Sequence, residues 1–314
     1  MKGIYDIKEH IPADRPGRLF LLAAIISISS VILIFIFLFV TASPVLLKEG
    51  TGFITGTEWN YQTGEYGILL LIAGTIVLTA VTMAIAVPLS IFTAIFLAEW
   101  SPRWLTGILR PPIEMLVGIP SVVYGIFGFF VLENIFQDFV DPFIDSTLGF
   151  IWIFKDVNPN SGTSILLAST VLSIMILPTV TALSQEALET VPRDYRYASL
   201  ALGATKWETI KRIIIPAAMP GIITAFILGL MRAIGETMAV VMLMGNSLHF
   251  PTSILDTGYA MTSKILNDIG YYISFDEPKS ALFAIGVVIF LMEFIFVALA
   301  RFVGYRFTID KRES

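Results

Sequence analysis

The residues best placed to do chemistry stand inside an apolar run, Ile222–Met244. There Met231-Arg-Ala-Ile-Gly-Glu-Thr237 sets an arginine and a glutamate in a stretch otherwise fit for lipid. Arg232 and Glu236 are four apart, so on a continuous helix they share one face. A charge at bilayer depth is costly and by default marks a pathway or a site. Two roles follow from the residue types. The pair can lock two helices as an internal salt bridge, or the face can meet a charged solute. A guanidinium stays charged at any working pH, and its planar fork suits oxyanions. The carboxylate would partly neutralise it.

A membrane must surround that pair. Of 314 residues, 56% are hydrophobic and only 14% charged, well under the usual quarter of a soluble domain. Apolar runs of 20 or so residues, enough to span a bilayer, recur along the chain. They predict an all-α polytopic membrane protein with six spans, at about 19–42, 66–98, 113–132, 163–183, 219–245 and 280–303. Fifteen of the twenty Lys and Arg fall in the N-terminal segment, the 99–112 and 184–218 loops, or at the C-terminal end from Arg301 on. Cationic loops stay inside, so both termini are expected in the cytoplasm, with segments 1–18 and 304–314 there and one membrane domain between. The N-terminal apolar stretch is too long for a signal peptide and reads as a retained helix. The other loops carry four Lys and twelve Asp or Glu. Within the 246–279 loop, Ile254–Ile273 has some helical periodicity and reads as a solvated loop helix.

Several chemistries are excluded. There is no cysteine, and the two histidines, His10 and His249, lie outside the apolar runs. No metal site, histidine relay or catalytic nucleophile is expected. No Gly-Lys dipeptide occurs, so a Walker A loop is absent. Any energy for uphill transport must come from another polypeptide.

The 184–218 loop is patterned for such a partner. Pro192–Leu202 reads as a short helix stopped by Gly203. Thr205-Lys-Trp-Glu208 is a capping box opening a second helix, Lys206–Ile215, expected to end near Pro216. Tyr195, Tyr197, Leu200, Leu202 and Trp207 make its face partly apolar, as a docking element would be.

Ala198-Ser199-Leu-Ala-Leu-Gly203, followed after nine residues by Ile213-Ile-Ile-Pro216, resembles the coupling loop of ABC-transporter permeases. The motif's first position, usually Glu, is Tyr197 here. Thr57–Asn60 with Gly64–Gly67, Gly118-Ile-Pro-Ser-Val-Val-Tyr-Gly125, Gly203–Glu208 and Arg232–Val240 are similar to the phosphate-specific permeases of PstC type. Met238-Ala-Val favours these over the PstA-type sister. The resemblance covers residue 50 to the C-terminus and implies the type I permease fold of an ATP-driven phosphate importer, a transporter subunit and not itself an enzyme. It implies coupling to an ATPase through Tyr197, Ala198, Ser199, Gly203, Thr205, Trp207, Glu208 and Pro216, and a substrate path at Arg232 and Glu236. The implied partners are an ATPase subunit dimer, a PstA-type sister permease, an extracytoplasmic phosphate-binding protein and the lipid bilayer, with no nucleic acid. ATP would be bound by the ATPase, so this chain holds no cofactor. The other readings are a PstA-type, sulfate or molybdate permease, or, in a different class, an anion channel or scaffold.

Lesser candidates surround these. Glu293 would pair with Arg232 or face a polar crevice, and Glu114 would be interfacial. Tyr124 and Ser121 could line the path, although packing suits them better. Pro88, Pro120 and Pro178 read as kinks. Trp59, Trp100, Trp104 and Trp152 read as interfacial anchors.

Overall fold

The computed structural model describes residues 15–157 and 161–309. Lys2, Lys8, His10, Lys311 and Arg312 lie outside them. Among the described residues, six helices are long and apolar enough to cross a membrane, in a helical bundle with a small hairpin.

Helix α1 (Arg15–Glu49) runs through Pro44 and well past the expected end at 42. Its most apolar window is fully exposed, as suits lipid. After one turn at Gly52–Thr55 the chain forms a two-stranded hairpin, β1 (Trp59–Asn60) against β2 (Glu65–Tyr66), with Trp59 opposite Tyr66. Helix α2 (Leu69–Ile95) passes over Pro88 and ends in a π-turn at Phe96–Trp100.

The third span sits elsewhere than the apolar run suggested. Helix α3 (Arg103–Val117) is a separate element with no buried residue. The chain breaks at Gly118–Pro120, and α4 (Ser121–Leu148) is the spanning helix. Pro120 has no N–H and disfavours the helical region for its predecessor, and here, next to Gly118, it marks a break, so 113–132 is not one helix. At the other end Glu133, Asp138 and Asp141 continue on α4 instead of opening an acidic loop. Two π-turns, Gly128–Leu132 and Phe136–Val140, interrupt it.

Helix α5 (Ile165–Glu189) is central, with α2 its main neighbour. Hydroxyls stitch the two helices: Ser169 donates to Leu78 O (3.3 Å), Ser173 to Thr82 O (3.0 Å), Ser90 to Leu177 O (3.3 Å) and Thr181 to Ser90 O (3.4 Å). In lipid, where apolar burial gives helices no net attraction, such bonds and close packing hold helices together. Leu78, Met83, Leu172, Met175, Ile176, Val180, Leu230 and Ile234 fill the core between them.

Helix α6 (Arg193–Ala201) and α7 (Lys206–Gly235) follow. A short α8 (Met238–Leu243) continues the fifth span after a break. The 246–279 segment is not a solvated loop. Ile254, Leu255, Asp256 and Tyr259 are buried. The carbonyls of Asp256 and Ile254 accept from Ile165 and Leu166 N–H (2.9 and 2.8 Å), satisfying the start of α5. Helix α9 (Met261–Tyr272) opens on three buried residues, Met261, Ser263 and Lys264. His249 is not a lone histidine either: its Nε2 lies 2.9 Å from Asp256 Oδ1. Helix α10 (Asp276–Ile309) closes the bundle against α1, through Phe35 on Phe290 and Phe37 on Phe283.

Candidate functional site

Arg232 is carried by the last turn of α7. Glycine brings it there. A Cβ on Gly229 would lie 2.7 Å from Val180 Cγ2, and one on Gly221 would lie 2.4 Å from Ala187 Cβ. Side-chain-free positions thus let α7 approach α5 closely, and Arg232 Nη1 donates to Thr179 Oγ1 at 3.4 Å. Among the described residues no carboxylate lies within ion-pair distance of Arg232, so the salt bridge of the helix-locking alternative is absent.

The shared face with Glu236 is also lost. Helix α7 stops at Gly235, and Glu236 is extended at φ −68° and ψ 134°. Glycine is a weak helix former, and a partner awaits the carbonyl that the break frees. Thr262 Oγ1, from α9, donates to Glu236 O at 2.8 Å. The Glu236 side chain turns forward, where Oε1 accepts from Ala239 N at 3.4 Å. Non-helical backbone at membrane depth is tolerated only where protein or a watery cavity lines it. Glu293 does not pair with Arg232. Its Oε1 lies 3.7 Å from where a Cβ of Gly235 would sit, and it lines a groove of about 650 Å³ between α7 and α10 together with Met231 and Arg301. Tyr124 is buried on α4, its hydroxyl donating to Leu116 O at 3.1 Å.

The 184–218 segment is a compact knob. Gly203 takes φ +86° with open space around it, the conformation that ends α6. In the capping box Thr205 Oγ1 accepts from Glu208 N (3.2 Å), and Glu208 Oε2 accepts from Thr205 N (2.9 Å). Ser199 and Thr209 hydroxyls meet at 2.8 Å and tie α6 to α7. The helix does not end at Pro216. A π-turn at Ile210–Ile214 leads into the proline, which has no N–H to place, and α7 runs on. Ala198 faces the knob surface with Tyr195, Tyr197, Leu200 and Leu202, and Leu202 is 89% exposed.

Two residues that sequence reasoning did not single out lock this knob to the bundle. Arg196 Nη2 donates to Glu99 Oε1 (2.6 Å) and Leu188 O (3.0 Å), and Nη1 donates to Val191 O (2.7 Å). Trp100 stacks on Trp207 with centroids 5.7 Å apart, and Lys206 sits over the Trp100 ring. Trp100 is therefore a hinge contact as well as a boundary residue. Glu99 and Trp100 both belong to the π-turn ending α2. That pairing spans nearly a hundred residues of sequence, and no local signal announces it.

The chain matches a known family. Residues 86–309 fit the family model of the binding-protein-dependent transport system inner membrane component. The chain belongs to that family. The permease is 38% identical over 296 residues to the probable ABC transporter permease protein YqgH of Bacillus subtilis, covering 92% of this chain and 90% of that one. It is also 38% identical over 258 residues to the phosphate transport system permease protein PstC of Xylella fastidiosa, covering 82% and 79%. In fold the permease resembles a chain of the bacterial alginate ABC transporter in complex with alginate pentasaccharide-bound periplasmic protein. There the TM-score is 0.61 at 17% identity, with 93% and 96% covered. The permease is thus a multi-pass inner-membrane protein. One helix, α7, carries both the second half of the knob and Arg232 at the break.

Proposed function

We propose that this permease is the membrane-spanning subunit of an ATP-driven phosphate importer, lying with both termini in the cytoplasm. It forms the translocation path and is driven by a separate ATPase docked on the 184–218 knob, because it carries no ATPase site of its own. The observation that carries the reading is Arg232: a guanidinium at the broken span that donates to the Thr179 hydroxyl and, among the described residues, has no carboxylate within ion-pair distance. Its free donors suit a phosphate oxyanion. The likeness to phosphate transport permeases at 38% identity supports that anion above others.

The partners follow from the same reading. An ATPase dimer would seat Tyr197, Ala198, Leu200 and Leu202. Ser199, Gly203, Thr205, Trp207, Glu208 and Pro216 would act by keeping the knob in shape. A PstA-type sister would complete the path, and an extracytoplasmic binding protein would deliver phosphate. Closure of the ATPase dimer would move the knob and switch the spans between inward- and outward-open states, a two-state element of the kind coupling requires.

The test is uptake of radiolabelled phosphate into vesicles holding the four components, with sulfate and molybdate as competitors. ATP-dependent uptake that resists excess sulfate is expected. Equal inhibition by all three anions would make the protein a broader oxyanion permease. Failure to associate with any ATPase would favour the channel or scaffold.

A further inference from the structure

The hairpin end of the permease holds a buried cation that the transport reading does not use. Lys264 is 6% exposed. Its Nζ lies 2.7 Å from Asp268 Oδ2 and stands over three rings, Trp59 (5.1 Å), Tyr259 (5.4 Å) and Tyr61 (5.7 Å). Tyr61 donates its hydroxyl to the same Asp268 carboxylate and stacks on Tyr272 at 3.6 Å. Asn267 donates to the Tyr259 hydroxyl at 2.8 Å. The cage thus joins the hairpin, which supplies Trp59 and Tyr61, to α9, which supplies Lys264, Asp268 and Tyr272. A buried ion pair of this kind gives little stability by itself, but removing one partner leaves an uncompensated charge. Its use lies in holding one arrangement of two elements.

The same first turn of α9 that carries Lys264 also holds the helix break. Thr262 Oγ1 donates to Glu236 O at 2.8 Å, and Met261 N donates to Thr75 Oγ1 on α2 at 3.0 Å. That Glu236 carbonyl belongs to the extended residue just past the end of α7, four residues beyond Arg232. The hairpin is pinned in turn: Lys48 Nζ donates to Gly64 O at 2.9 Å and pairs with Glu277. Hairpin, cage, α9, Thr262 and the break form one contiguous set of hydrogen-bonded and packed groups.

We propose that Thr262 is a positioning residue of the substrate path. Its hydroxyl sets the backbone of the break beside Arg232, and the caged Lys264–Asp268 pair transmits the position of the hairpin to that hydroxyl. The link to cargo rests on the transport reading, while the mechanical link does not.

Two measurements separate them. In the reconstituted four-component complex, Thr262→Val should change KM or kcat for phosphate uptake about five-fold, the scale of one hydrogen bond. Thr262→Ser should restore it to within two-fold, and ATP hydrolysis without binding protein should stay unchanged. Asp268→Asn should act in the same direction, and adding it to Thr262→Val should cost nothing more, because both act through one contact. Normal uptake by Thr262→Val, or additive effects, would overturn the proposal.

The chain has no cysteine, so a spin label at Met238→Cys, exposed beside the break, reports locally. Asp268→Asn should raise its mobility whatever the cargo is. An unchanged spectrum would refute the mechanical link even if Thr262→Val fails to assemble. A mobile label with unaltered uptake would leave the transport reading in place and remove Thr262 from it.

Discussion

Arg196 and Glu99 stand 2.6 Å apart, with the carboxylate 8% exposed, and they fasten the first helix of the knob to the end of α2. The guanidinium also closes two backbone carbonyls at the end of α5. Three elements therefore meet at one side chain. Any push on the knob reaches α2 and α5 as well as α7. Glu99→Gln should keep the shape but weaken the charge-assisted bonds, costing about 1.5–3 kcal/mol of stability. More telling, ATP hydrolysed per phosphate moved should rise, because the knob would rock without carrying the bundle. Parallel assays of hydrolysis and uptake decide this, and an unchanged ratio would confine Arg196 to a structural role.

Gly203 gives a cleaner test of the knob's geometry. A Cβ there meets nothing within 4 Å, yet φ is +86°. Only backbone conformation is at stake, and a non-glycine residue with positive φ costs about 1–2 kcal/mol. Gly203→Asn should retain coupling, since asparagine tolerates this region best, and Gly203→Val should lose most of it. Co-purification with the ATPase and uptake rates would show the ranking. Equal loss in both variants would point to a contact at the surface and not to conformation.

How much of this was legible depends on how far apart the deciding residues lie. Gly203 and the Thr205–Glu208 box are signals within a few residues, and the turn and cap form where they were expected. Gly118 and Pro120 permit a local break, and the break forms there, but the apolar run across them places the third span too early in the chain. Arg232 and Glu236 were placed on one face because four residues in an apolar run read as continuous helix. The hydroxyl that lets α7 stop belongs to Thr262, and nothing near Gly235 foretells it. Lys264 and Asp268 have an ordinary i, i+4 spacing. Their burial is set by the hairpin two hundred residues earlier, so a solvated loop helix was the reasonable expectation. The π-turns ending α2 and opening α7 have no recognised sequence signal, and they carry Glu99, Trp100 and the approach to Pro216.

The close crossing of α7 and α5 explains how Arg232 is aimed. Gly229→Ala would set its Cβ 2.7 Å from Val180 Cγ2 and 3.1 Å from Ile176 Cγ2, so the helices must part. Overpacking of this kind costs about 1–3 kcal/mol, and it should draw Arg232 off Thr179. Uptake should fall at least ten-fold. Val180→Ala in the same chain removes the clashing methyl and should recover much of the loss. A double variant no better than Gly229→Ala would show that the defect does not run through this contact.

Arg232 itself should be intolerant in a graded way. Arg232→Gln removes the charge and should abolish uptake while the four components still co-purify. Arg232→Lys keeps the charge but not the fork and should retain a fraction. Thr179→Val, which removes only the 3.4 Å contact, should be mild, within about five-fold for one hydrogen bond. If Arg232→Gln transports normally, the path lies elsewhere. If its assembly collapses, the arginine is a structural lock.

The hairpin latch should have an alkaline limit. Burial, and then the hydrogen bond to Asp268, raise the Tyr61 pKa above its ordinary value. A tyrosine near pH 10 is half ionised when unfolded, whereas here the folded state keeps its proton longer. The folded protein therefore binds more protons than the unfolded one in that range, and stability falls as pH rises. The contribution of Tyr61 is complete below pH 10 and is lost above it, as the unfolded chain gains from ionising. Tyr61→Phe should destabilise the protein at neutral pH, since Asp268 loses a donor, and should flatten the fall in melting temperature between about pH 10 and 11. Thermal unfolding in lipid nanodiscs across pH 7 to 11 would show both effects, and parallel curves for the two proteins would exclude Tyr61 as the titrating group.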